Sequence, residues 1–168
     1  MSSAPSPALL YDLVGHLPRG ETAPVAAELA PTTPAGCLID VLGIVPTHAG
    51  PGACRAEMVV GPQHLNMRGI AQGGALLALA DAAAAWASYA ALPRGQFTTI
   101  DVSFKLLRPA SLDDRLVATA SPVHLGRRLL VLEVLVGRGS EDNDHGALVA
   151  KATCTQMVLD QGNDRARS

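Results

Sequence analysis

The chain has 168 residues, long enough for one domain with a real hydrophobic core. Hydrophobic residues make up 48% of it and aromatic ones only 3%, so that core is built from Ala, Leu and Val. A formal charge of -2 gives no electrostatic reason to expect a nucleic-acid partner. Cys37, Cys54 and Cys154 lack the spacing of metal ligands and read as reduced thiols of a cytoplasmic protein.

Residues 1–36 carry Pro5, Pro7, Pro18, Pro24, Pro31 and Pro34 and read as a peripheral arm with one short helix over Ala8 to Leu17. The N-terminus shows no basic stretch followed by an unbroken apolar run, so no signal peptide is expected. The domain proper spans residues 37–160 and begins with a helical turn from Cys37 to Leu42. Ile44 to His48 and Ala53 to Val60 read as a hairpin around Gly50-Pro51-Gly52. In its second strand Cys54, Ala56, Met58 and Val60 share one face, and Arg55 and Glu57 take the other. Gln63 to Gln72 is the loop into the next element.

That element is the centre of the chain. Gly73 and Gly74 open a run of Ala and Leu, strong helix formers, that is apolar on every side and therefore enclosed. Ala75 to Leu92 is 18 residues with a single charge, the length of a membrane span. Alanine adds little to insertion, and Asp81 near the middle opposes it by roughly 2.5–3.5 kcal/mol. The helix is thus expected in a protein core, without membrane insertion. A carboxylate enclosed there is costly unless strong donors meet it or it faces a cleft.

Beyond Pro93 the character turns to β. Phe97 to Leu107, Arg115 to His124, Arg128 to Val136 and Ala147 to Leu159 read as four strands in a meander. In the first, Thr99, Asp101, Ser103 and Lys105 alternate against Ile100, Val102, Phe104 and Leu106. Glu141-Asp142-Asn143-Asp144 lies in a polar hairpin tip and lacks the pattern of a calcium loop. Residues 161–168 form a flexible tail. A long helix wrapped by a curved antiparallel sheet of five to six strands, an α+β fold, explains a helix apolar all round. Such a sheet leaves one edge and the open side of the helix uncovered, so a symmetric homodimer, or a dimer of dimers, is expected.

His64-Leu65-Asn66, Gly69, Gln72-Gly73-Gly74, Leu79-Ala80-Asp81, Leu107-Arg108-Pro109-Ala110 and Gly126-Arg127-Arg128, in this order and spacing, resemble the hotdog-fold acyl-CoA thioesterases. The nearest group is the PaaI-like one, associated with phenylacetate degradation, and the similarity runs from about Cys37 to Leu159. It implies hydrolysis of acyl-CoA or aryl-CoA thioesters to free acid and CoA at a dimer interface. It also implies no metal or redox cofactor, CoA being part of the substrate. On this resemblance Asp81 is nucleophile or general base, and Asn66 orients the water or the carboxylate. The N–H of Gly73 or Gly74 polarises the carbonyl, and Thr99 holds the attacking water. Many relatives carry His where this chain has Gln72, which can donate a hydrogen bond but cannot carry a proton. That substitution keeps open a non-catalytic hotdog protein that binds acyl-CoA for regulation. It argues against a dehydratase or hydratase, whose chemistry wants His beside its carboxylate.

The residues themselves leave choices. N–H groups at a helix N-terminus suit a developing oxyanion, and glycine lets substrate approach, yet a tight turn into a helix uses glycine too. Asp81 lies roughly 10–12 Å inside the helix and cannot cap it; its alternative is a buried Asp bonded to Ser or Thr of the sheet. Ser88 shares its face as polar lining or packing. Asn66 either acts in catalysis or braces its loop, and His64 is a substrate contact or a loop support. Arg108, Arg127 and Arg128 meet the CoA phosphates or are solvated charge. Trp86 and Tyr89 shape an acyl pocket or belong to the core.

Overall fold

The computed structural model describes residues 8–29, 33–93, 96–139 and 146–159. Among the described residues, four α-helices, α1 (Ala8–Val14), α2 (Ala26–Leu29), α3 (Leu38–Val41) and α4 (Gly73–Ala91), accompany seven strands. These are β1 (Ala23–Pro24), β2 (Val45–Gly50), β3 (Ala53–Val59), β4 (Phe97–Leu106), β5 (Arg115–Leu125), β6 (Leu129–Arg138) and β7 (Leu148–Val158). They form one sheet in the order β1-β2-β3-β5-β6-β7-β4, antiparallel throughout. The sheet wraps α4, which is the expected hotdog architecture.

Small side chains let helix and sheet approach closely. Leu79, Ala80, Ala83, Ala84 and Ala87 of α4 are fully buried against Ala56, Ala118, Val134 and Ala152 on the inner face of the sheet. By length and composition α4 is apolar enough to cross a membrane. Here the sheet covers it, and its buried residues lie along most of its length. It ends at Leu92, whose extended backbone is what a following Pro93 imposes.

Three features differ from the sequence expectation. First, the sheet has seven strands, because the N-terminal segment joins it: β1 pairs with β2, and Leu10, Val14, Val25 and Leu29 are buried with Ala49 and Ala90. Gly50 permits this, since a Cβ there would collide with the carbonyl oxygen of Glu21. Second, the last four strands are not a simple meander. β4 pairs with β7 at the sheet edge, while β5 pairs with β3. The connection between β4 and β5 crosses the N-terminal end of α4, held by Ala71 N–H to Ala110 O at 2.8 Å and Val60 N–H to Asp114 O at 2.9 Å. Third, a bulge between Thr99 and Asp101 breaks the alternation of β4. Thr99 therefore joins Val102 and Phe104 on the helix face, and Asp101, Ser103 and Lys105 do not share its side. The acidic tip Glu141–Asp144 and the tail 161–168 lie outside the described residues.

Candidate active site

Asp81 is half-buried and opens on a pocket of about 380 Å³. Leu38 of α3, Gly74, Leu77 and Ala78 of α4, and Thr99 and Val102 of β4 complete its walls. The bulge in β4 brings Thr99 here, and its hydroxyl donates to Asp81 Oδ1 at 3.3 Å. Behind Thr99, directly across the ladder, lies Gln156 of β7. Its Nε2–H donates to Thr99 Oγ1 at 3.4 Å, and the Ser88 hydroxyl of α4 donates to its Oε1. Both Gln156 and Ser88 are 0% exposed. Cys154, two residues along β7, has its thiol pushed up to about 11, chiefly by burial and then by the charges of Asp81 and Asp101. It is a neutral thiol near pH 7.

The first turn of α4 forms the other end of the pocket. Gln72 is its exposed N-cap residue, and its side chain makes no capping bond. Ala75 and Leu76 N–H both reach Gln72 O, at 3.0 and 3.4 Å, whereas the N–H groups of Gly73 and Gly74 remain among the uncapped donors of a helix start. Neither glycine has a positive φ, so the turn itself does not require them. A Cβ at Gly74 would meet nothing within 4 Å, and one at Gly73 would come 3.0 Å from a terminal methyl of Leu106. What Gly74 leaves is open space over helix-terminal donors.

The remaining candidates are placed elsewhere. Asn66 closes a turn: its Oδ1 accepts Arg68 N–H at 2.8 Å and its carbonyl accepts Gly69 N–H at 2.9 Å. It is not among the residues lining the Asp81 pocket of its own chain. His64 departs from the expectation of a substrate contact. It is 2% exposed, its Nδ1 accepts Gly61 N–H at 2.7 Å, and its Nε2 stands 3.0 Å from Leu42 O. Accepting at Nδ1 makes Nε2 the protonated nitrogen, so both ring nitrogens are spent on bracing the chain. Trp86 and Tyr89 likewise pack in the core, Tyr89 against Phe97 with ring centroids 4.7 Å apart.

Arg108 donates to Leu148 O at 2.8 Å and, with Arg68, flanks a second cleft of about 310 Å³ beside Leu76 and Leu106. Arg127 and Arg128 do not join it. They lie in the turn between β5 and β6, while Leu106 shares a ladder row with Ala150 and Val136. From Val136 to Arg128 is eight residues, roughly 26 Å at strand rise. Sequence reasoning missed Arg68 and Gln156. The signal for Gln156 was present: β7 alternates, and Gln156 is the one amide on the inward row of Ala150, Ala152 and Cys154. Among the described residues no three His, Cys, Asp or Glu side chains gather as a metal site.

Residues 68–143 match the model of the Thioesterase superfamily. A Deinococcus radiodurans protein described as "Putative esterase" is 35% identical over 102 residues, 61% of this chain and 68% of its own. A mutant of the phenylacetic acid degradation protein PaaI from Thermus thermophilus superposes with a TM-score of 0.64 at 36% identity, covering 72% of this chain and 97% of that one. A hypothetical thioesterase protein from Streptococcus pneumoniae, solved with coenzyme A, gives 0.62 at 27% identity over 69% and 85% of the two chains. Family model, sequence relative and helix-in-sheet fold agree, and the chain belongs to the thioesterase superfamily of hotdog-fold proteins, with PaaI proteins among its structural neighbours.

Proposed function

We propose that this protein hydrolyses acyl-CoA or aryl-CoA thioesters to free acid and CoA, with Asp81 as the general base. The observation that carries this reading is the Asp81 carboxylate in an open, mostly apolar pocket, bonded by Thr99, on the helix whose first-turn donors stand uncovered. Asp81 takes a proton from water as its oxygen bonds to the thioester carbon. The oxyanion that forms is met by the N–H of Gly73 or Gly74. Its collapse breaks the C–S bond, and Asp81 returns the proton to the leaving sulfur. The reading invokes no cofactor, since CoA arrives as part of the substrate. The free thiols Cys37, Cys54 and Cys154 fit a cytoplasmic setting.

Along one helix Gly74 and Asp81 are seven residues apart, roughly 10 Å, while reacting atoms need to approach within about 3–3.5 Å. We place the two groups of one site on two copies of the chain. β4 is an edge strand, and pairing two such edges antiparallel about a two-fold sets the Leu106 end of one beside the Thr99 end of the other. Gly73 lies against Leu106 and Asp81 against Thr99, so the first turn of one α4 comes to the Asp81 of the second copy. Asn66 and Gln72 then arrive with the glycines and orient water and thioester. The same operation carries Arg127 and Arg128 of the second copy toward the Arg68–Arg108 cleft, where guanidinium groups suit the phosphates of CoA.

A panel of acyl-CoAs assayed for thiol release tests the reading. Asp81→Asn is expected to lower kcat by about 10²-fold or more while leaving the fold intact. Equal rates for Asp81→Asn and wild type would refute the mechanism. Tight acyl-CoA binding without thiol release, for which the uncharged Gln72 is the motive, would assign regulation instead.

A further inference from the structure

The pocket explains Asp81 and Thr99, but not why α4 and β7 bury two polar side chains behind them. Ser88 and Gln156 are sealed from solvent among alanines and leucines, a place where an amide or hydroxyl is costly unless hydrogen-bonded. Among the described residues, their side chains bond each other and Thr99. Ser88 is two helical turns beyond Asp81 on the same face, and Gln156 faces Thr99 directly across the ladder. The four residues thus form one line from the protein interior to the pocket.

The direction of the bonds along that line matters. A threonine hydroxyl has one proton to give. Gln156 Nε2–H fills an acceptor position on Thr99 Oγ1, so the Thr99 proton is directed to Asp81. Were the Gln156 amide turned over, its oxygen would draw the Thr99 proton away and leave Asp81 facing a lone pair. In the orientation found, the Ser88 hydroxyl donates to Gln156 Oε1 and completes the line. We propose that Gln156 and Ser88 are positioning residues, a buried hydrogen-bond chain that commits the Thr99 hydroxyl to Asp81 and fixes the carboxylate toward the substrate. This rests on the reading of Asp81 as the base, and it adds two residues that are themselves sealed from solvent.

Gln156→Glu keeps size and shape but puts an acceptor where the N–H was, and Gln156→Met removes the bonds with similar volume. Both are expected to lower kcat by about 10- to 100-fold with KM changed less than about twofold. Thr99→Val should lower kcat comparably, and adding Gln156→Met to it should cost nothing more, because the line is already cut. Ser88→Thr, which keeps the hydroxyl, should retain more activity than Ser88→Ala. Losses that add in the double variant, or that appear in KM, overturn the proposal.

A second readout is independent of turnover. In protein labelled with ¹⁵N at glutamine, Asp81→Asn should move the Gln156 side-chain amide signal, and should no longer do so in the Thr99→Val background. An unmoved signal overturns the proposal even where the variants fold poorly. A moved signal in a protein that releases no thiol from any acyl-CoA would uphold the chain and refute the hydrolytic reading alone.

Discussion

At the scale of single residues, chemistry and packing are separated by what each side chain has already spent. Asp81 was legible because it is the only formal charge between Arg68 and Arg94, and a charge on an otherwise apolar helix demands a reason. His64 was not legible: a histidine three residues after Gly61 can bind substrate or cap a turn, and only the fold shows both nitrogens engaged. The consequence is testable. His64→Phe removes the partner of the Gly61 N–H and of the Leu42 carbonyl, both half-buried, at up to about 1–3 kcal/mol per group. Denaturant unfolding should therefore report a loss of about 1 kcal/mol or more, while KM for acyl-CoA in the folded fraction stays at the wild-type value. A KM that rises in proportion to lost stability would restore His64 as a ligand. Gly74 is the opposite case, a position that packing leaves free beside the Asp81 pocket.

At the scale of elements, periodicity showed α4 almost to the residue and every long strand within a few positions, since each has one strongly patterned face. It did not show the sheet order. β4 alternates as cleanly as any strand, yet its partner is decided by where a connection can cross, and alternation is silent on that. The Ile100 bulge is equally hidden, because Thr-Ile-Asp-Val reads as unbroken β sequence. The crossing is pinned by Asp114, whose carboxylate accepts Ser111 N–H and Arg138 Nε–H, both at 2.8 Å. Arg138 also donates to Pro109 O at 2.7 Å. Burial works to raise the Asp114 pKa, but the Ser111 bond and the Arg138 guanidinium outweigh it, and the net shift is downward from 3.8. A carboxyl depressed in the folded state stabilises fully above its unfolded pKa and loses that contribution as pH falls through the folded one. Asp114→Asn should accordingly be less stable than wild type near pH 7, and the gap should narrow from about pH 5 downward. Melting curves with a gap constant across that range would show that the ion pair contributes nothing.

At the scale of the whole molecule, one feature of the fold is unfinished. Among the described residues β4 is unpaired along one edge, with Ile100 52% and Leu106 56% exposed along it, beside the mouth of the Asp81 pocket. On the proposed dimer, a second copy pairing this edge would cover the apolar side chains and would also join the donors of one helix to the acid of the other. A shared site makes a prediction that a site within one chain cannot imitate. Gly74→Val is expected to fold normally, since its side chain enters open space, but to occupy the room a thioester needs over the first-turn N–H groups. Asp81→Asn keeps that room and lacks the base. Each homodimer should be inactive. Co-refolding equal amounts puts both defects into one site of every mixed dimer and leaves its other site whole, so about one quarter of all sites recover if subunits pair at random. Thiol release near that fraction of the wild-type rate supports donors and acid on different subunits. If the mixture stays as inactive as its components while subunit exchange is verified by mass, then each chain holds a complete site, and the roughly 10 Å between Gly74 and Asp81 must be spanned by substrate and water within a single subunit.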